Sequence, residues 1–137
     1  MSTSEITRQV AQEWFGYVQN HHYEKLDALA TPTANWWVGG SKDKIPVAGD
    51  MPYPQRRQST QQLNEGADKS STELVGLTVD GSVAVLEVHR TLDGPGEKHY
   101  DTYAIVKLIL NEEGKIQEVR EYLDFFALFK YLGVPGF

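Results

Sequence analysis

The stretch from Thr72 to Leu123 constrains the fold more than any other part of the chain. It holds four segments rich in Val, Ile, Leu, Thr and Tyr: Thr72 to Val79, Ser82 to Leu92, Lys98 to Leu110 and Lys115 to Leu123. β-Branched and aromatic side chains fit the pleated surface of a strand. The segments are parted by Asp80-Gly81, Asp93-Gly94-Pro95-Gly96-Glu97 and Asn111-Glu112-Glu113-Gly114, whose glycines supply the positive backbone angles that hairpin turns require. The pattern predicts a four-stranded antiparallel meander.

Upstream, the hydrophobic spacing lengthens from two to about four. Ser2-Thr3-Ser4-Glu5 reads as a capping box. Ile6, Val10, Trp14 and Val18, broadened by Phe15 and Tyr17, predict a helix to about Asn20 that lays a wide aromatic face on something apolar. Tyr23 to Ala30 predicts a second short helix, stopped by Thr31-Pro32 because proline disfavours helical backbone in the residue before it. Asn35-Trp36-Trp37-Val38 predicts a short strand ended by Gly39-Gly40. Ser41 to Pro54 carries Pro46, Gly49, Pro52 and Pro54 without periodicity and predicts a long surface loop, a kind that is usually functional or mobile in a compact domain. Gln55 to Asn64 predicts a half-exposed helix, and Phe125 to Leu132 a turn or two of helix stopped by Gly133 and Pro135. At 137 residues this is one domain, 1–137, with helices covering one face of a bent sheet: an α+β fold.

Charge and composition narrow the partners. The net charge is −6, and Arg56-Arg57 is the only adjacent basic pair, which argues against nucleic acid and against an anionic membrane surface. The chain has no cysteine, so disulfides, thiolate nucleophiles and cysteine zinc sites are out of reach. His21-His22, His89 and His99 lack metal-ligand spacing, and Gly94-Pro95-Gly96 is a turn with no helix after it to hold a phosphate. No metal and no cofactor are expected. Met1 to Glu5 does not open like a secretion signal, and a cytoplasmic protein is expected.

The alternation along the strands assigns faces. A turn pairing Val79 with Ser82 sets Val75, Leu77, Ala84, Leu86, Val88 and Arg90 on one side. A hairpin symmetric about Pro95 adds Tyr100, Thr102, Ala104, Val106 and Leu108, with Arg90 opposite Tyr100. This is the core side. The other side collects Glu87, His89, Asp101, Tyr103 and Lys107, either as acid–base pairs or as ordinary cross-strand pairs on an exposed face. Asp124 depends on the last turn. A two-residue turn sends it to the exposed side, whereas Gly114 as a left-handed bulge residue sends it to the core side, near Arg90 and Tyr100. There it is a proton-transfer candidate; elsewhere it is an N-cap for the segment starting at Phe125. Trp14, Trp36, Trp37, Tyr53, Phe125 and Phe126 either sandwich a flat ligand or form core. Trp36 and Trp37 must point opposite ways.

The aromatic first helix, the Asn35-Trp36-Trp37-Val38-Gly39-Gly40 strand with its loop, and Gly114-Lys115-Ile116 through Arg120-Glu121-Tyr122-Leu123-Asp124 resemble the nuclear transport factor 2-like fold. Within that superfamily the chain is most similar to the SnoaL-like polyketide cyclases and the ketosteroid isomerase-like proteins. The resemblance implies N-terminal helices packed on a strongly curved, mostly antiparallel sheet, forming a cone with an internal pocket. It also implies a homodimer through the flat sheet face. The implied activity is cofactor-free proton transfer, by cyclisation, isomerisation or dehydration, on a small hydrophobic cyclic molecule. Asp124 is then the acid–base group, Arg90 and Tyr100 orient it, and Trp14, Trp36, Tyr53, Val88, Val106 and Phe126 hold the ligand. The alternatives are a non-catalytic binding or dimeric accessory protein and an epoxide hydrolase. Val119 to Asp124 resembles the segment carrying the water-activating Asp of limonene epoxide hydrolases, but Leu92 stands where their second acid is found. The ketosteroid isomerase positions fall on Phe15, Trp37 and Val106, all apolar.

Overall fold

The computed structural model describes residues 1–137. Helix α1 spans Thr3–Gln19, and its capping box forms: Glu5 N donates to Ser2 Oγ at 3.1 Å and Ser2 N to Glu5 Oε1 at 3.3 Å. Its buried stripe is Thr7, Ala11, Trp14 and Phe15, whereas Ile6, off that line, is 38% exposed beside the glycine of the last hairpin. Helix α2, Tyr23–Leu26, tightens into a 3-10 turn over Asp27–Leu29. Strand β1 then runs Ala30–Val38, earlier than Pro32 predicts. Its pairing is broken between Ala30 and Asn35, so the N–H that Pro32 lacks leaves no ladder bond empty.

Helix α3, Tyr53–Glu65, takes Pro54 in its first turn, where a missing N–H costs nothing. The meander follows as β2 (Lys69–Asp80), β3 (Val83–Asp93), β4 (His99–Leu110) and β5 (Ile116–Tyr122). The sheet order is β1-β5-β4-β3-β2, with β1 parallel to β5 and every other pair antiparallel. Helix α4, Phe125–Leu132, ends at Gly133 in left-handed backbone, φ 76°. The helices pack on one face of this curved mixed sheet, an α+β cone, and no helix is long and apolar enough to cross a membrane.

The core lies between α1 and the inner sheet face, where Leu26, Leu86, Leu108, Ile116 and Val119 are almost wholly buried. A smaller cluster, Leu92, Tyr100 and Tyr131, sits under α4. The strand registers differ from expectation by even steps near the turns, so most faces hold: Val79 pairs with Ala84, Arg90 with Thr102, and Leu92 with Tyr100. In β2 an extra residue between Leu74 and Gly76 throws Val75 outward, 53% exposed, and brings Thr72 opposite Arg90.

The last hairpin decides where the acidic groups go. Gly114 adopts φ 77° as the bulge reading requires, and Asn111 Oδ1 accepts from the Glu113 and Lys115 amides at 3.0 Å each. A second irregularity follows at once. Leu110 pairs with Ile116 but Ile109 pairs with Glu118, leaving Gln117 as an extra residue. This cancels the first shift. Val106 therefore faces Glu121, and Asp124 turns out to solvent, where its Oδ1 accepts from Ala127 N at 3.1 Å as the N-cap of α4. The placement of Asp124 on the cavity side is thus corrected. Asp124→Ala is expected to lower stability by about 1 kcal/mol. A urea titration should show an earlier midpoint with unchanged slope, and Asp124→Asn, which still caps, should leave the midpoint in place.

Candidate functional site

Inside the cone the inner sheet face, α1, α3, α4 and the β1–α3 loop line two adjoining cavities. The deeper one, about 40 Å³, is walled by Trp14, Trp36, Val88 and Val106. The larger, about 160 Å³, is walled by Val38, Leu63, Ala104, Leu123, Phe125 and Leu128. Thr60, Arg90 and Glu121 line both and so stand at their junction. Three roomier concavities lie elsewhere, beside the start of α1, between α3 and α4, and along the first half of β1.

Glu121 is the one carboxylate in either wall. Trp36 Nε1 donates to its Oε1 at 3.0 Å. Burial raises its pKa above the ordinary carboxylate value, while Arg90, the Trp36 hydrogen bond and Arg56 pull the other way. Desolvation wins because charge is expensive in an apolar wall and neither arginine lies within ion-pairing distance. A carboxyl whose pKa is raised by its surroundings is better suited to take up and return a proton than an ordinary one.

Two arginines are held by neutral partners. The Arg90 guanidinium donates to Asn64 Oδ1, Asn64 Nδ2 donates to the Tyr23 hydroxyl at 2.8 Å, and that hydroxyl meets His21 Nδ1 at 2.9 Å. Arg56, 6% exposed, donates from Nη1 to Val47 O and from Nη2 to Gly49 O, both at 2.9 Å. Weaker bonds reach Trp36 O, from Nε at 3.4 Å and Nη2 at 3.5 Å. These bonds pin the loop between β1 and α3, whose Val47 and Met51 cover the larger cavity. Burial lowers the Arg56 pKa, and Glu121 opposes that. Tyr100, 4% exposed, has its phenol pushed up to about 12, chiefly by burial, so it remains a hydrogen-bond donor.

The structure brings Trp14, Trp36, Val88, Val106, Arg90 and Tyr100 to the cavities. It does not bring the other three predicted residues there. Tyr53, fully buried, donates from its hydroxyl to Leu26 O at 2.8 Å and accepts from Trp14 Nε1 at 3.2 Å, so it is a strut behind the wall. Phe126, 61% exposed, packs on Phe137, and its neighbour Phe125 enters the cavity, because consecutive residues of a helix lie on different faces. Asp124 caps α4. Across the sheet, His89 Nε2 meets Asp101 Oδ1 at 2.6 Å and stacks on Tyr103 at 4.6 Å, as cross-strand pairs facing away from the cavities.

Glu121 escaped the sequence reading, yet a signal was there. Ile116 and Val119 are both apolar and three apart, which strict alternation would place on opposite faces. Burying both requires an extra residue between them, and that residue turns Glu121 inward. With one carboxylate and no histidine, the walls fall short of the three or four donors of a protein metal site.

No family model matches the sequence. UPF0523 protein B of Dictyostelium discoideum is 30% identical over 122 residues, which cover 85% of this chain and 74% of that protein. Among solved structures, an NTF2-like protein of unknown function from Burkholderia pseudomallei K96243 is similar with a TM-score of 0.76 and 10% identity, over 96% of this chain and 98% of that one. A candidate SnoaL-like polyketide cyclase from Shewanella putrefaciens CN-32 is similar with a TM-score of 0.68 and 15% identity, over 93% and 85%. At such identities these structures speak to the fold alone. The structural likeness along most of each chain identifies the fold as NTF2-like, and the chain belongs to the UPF0523 family.

Proposed function

We propose that the chain is a cofactor-independent acid–base enzyme of the cyclase, isomerase or dehydratase type, acting on a small, largely apolar cyclic molecule held in the cone. The observation that carries this reading is the inward Glu121 carboxyl, held by Trp36 at the junction of two apolar cavities. The ionised carboxylate removes a proton from a carbon beside a carbonyl. The bonding pair moves to the carbonyl oxygen, and Arg90 or Tyr100 donates a hydrogen bond to that oxygen as charge develops. Protonated Glu121 then returns the proton at a second atom, so no electrons enter or leave.

Small cyclic ketones and enones incubated in D2O test this by NMR. The wild-type chain should exchange the proton next to the carbonyl. Glu121→Gln should slow that exchange by about 10²–10⁴-fold while keeping ligand affinity. Affinity without exchange in the wild type would overturn catalysis and leave a binding protein of the same fold.

The raised pKa also has a stability signature. Between the ordinary carboxyl value of 4.5 and the raised folded value, the native chain holds a proton that the unfolded chain has released. Glu121 therefore contributes stability that is fully present below that window and is lost as pH rises through the folded pKa. Thermal melts from acid to neutral pH should show the wild type losing ground steadily against Glu121→Gln.

The outer sheet face exposes Tyr103 (56%), Tyr122 (47%) and Val75 (53%) among its charged pairs, and a second copy of the chain is proposed to cover it. Sedimentation should give twice the 15.4 kDa chain mass, and Tyr103→Glu should return the single mass.

A further inference from the structure

Four charged side chains line the two cavities: Arg56, Arg57, Arg90 and Glu121. Arg57 is neutralised in place, donating from Nε to Asp27 Oδ1 at 3.1 Å and from Nη2 to Asp27 Oδ2 at 2.7 Å. Arg56 and Arg90 are not. Arg56 gives its bonds to backbone carbonyls and Arg90 gives one to an amide oxygen, and neither takes part in any ion pair. An ionised Glu121 offsets one of these charges, and a protonated Glu121 offsets neither. The walls therefore carry an excess positive charge in both states, on a buried Arg56 and a half-buried Arg90.

Excess charge away from water is costly unless something of the opposite sign answers it. The place for that group is the cavity junction. Arg90 lines both cavities, and its guanidinium, with five N–H donors, spends one nitrogen on Asn64. The space around the junction is apolar and small. At about 160 Å³, the larger cavity is well under the roughly 300–1,000 Å³ typical of drug-sized ligands, so it suits one ring.

Resting on the reading of the cone as a binding site for a cyclic molecule, we propose that its ligand is a small ring-bearing anion, with a single acidic oxygen group against Arg90 and the ring among Leu123, Phe125 and Leu128. A carboxylate meets the guanidinium in the two-point geometry that neutral oxygens lack. The same anion lies beside Glu121, whose carboxyl Trp36 holds at the cavity junction. Arg56, tied to the loop that roofs the larger cavity, adds favourable potential from the other side.

Calorimetric titration at neutral pH with matched acid and amide pairs tests the proposal: benzoate and benzamide, cinnamate and cinnamamide, 2-naphthoate and 2-naphthamide. In the wild type, the acid of each pair that binds should bind at least about tenfold more tightly than its amide. Arg90→Gln should erase that preference, and Arg90→Lys should keep part of it. Phe125→Trp, which fills the cavity, should abolish binding of acid and amide together. Amides binding as tightly as their acids, or an acid preference that survives in Arg90→Gln, would overturn the anionic ligand and leave the cyclic-ligand reading standing. If no member of any pair binds, or if Phe125→Trp changes nothing, the ring-in-cavity reading falls with it. Should Arg90→Gln fail to fold, the wild-type acid-to-amide ratio together with Arg90→Lys still decides the matter.

Discussion

The hydrogen bond from the Trp36 indole to the Glu121 carboxylate exists because β5 carries one residue more, at Gln117, than β4 can match. Side chains alternate along a strand, so a single extra residue moves everything beyond it to the opposite face. Upstream of Gln117, Ile116 points into the core; downstream, Val119, Glu121 and Leu123 do. Arg120 and Tyr122 are sent outside, where the Arg120 guanidinium lies 3.9 Å from the Trp37 ring and Tyr122 packs on the same indole. The two adjacent tryptophans of β1 thus serve opposite faces, one holding the interior acid and one covering the outer sheet.

Placing a carboxyl and two arginines in an apolar cone is expensive, and the fold meets the cost with fixed neutral partners. Arg56 is surrounded by backbone carbonyls of β1 and the following loop, Arg90 by the Asn64 amide, and Asn64 by the Tyr23 hydroxyl. A buried polar group left without a partner costs about 1–3 kcal/mol, so this shell protects stability as well as geometry. It also means that the donors aimed at the cavities are already oriented before any ligand arrives, the condition under which electrostatic stabilisation is largest.

Two extra residues, Val75 in β2 and Gln117 in β5, lie toward opposite edges of the sheet. Bulges increase local twist and bend the strand that carries them. They let a five-stranded sheet curl around α1 instead of lying flat beneath it, and the space left under the curl is the pair of cavities. Tyr53 braces this arrangement from behind, linking α3 to the carbonyl of Leu26 and to the indole of Trp14. Its burial as a strut lets the first helix present Trp14 to the deeper cavity without losing the indole's hydrogen bond.

Local chemistry was legible in the sequence wherever a residue's role depends on near neighbours. The capping box at Ser2, the four strands, the left-handed Gly114 and the capping role open to Asp124 are all set by contacts within a few positions. The alternation also assigned Ala84, Leu86, Val88 and Arg90 to the interior, because shifts by even steps keep the face. What the sequence left open were choices that depend on a count of residues between distant strands. Whether Asp124 or Glu121 faces the cone turns on one residue, and the local propensity of Gly114 is the same in both cases. Only packing decides it: Ile116 and Val119 can both be buried against α1 and β4 when Gln117 is squeezed out, and burying those two side chains outweighs breaking the ladder once. Alternation and turn chemistry therefore determined the sheet, and the tertiary core chose which acid it would enclose.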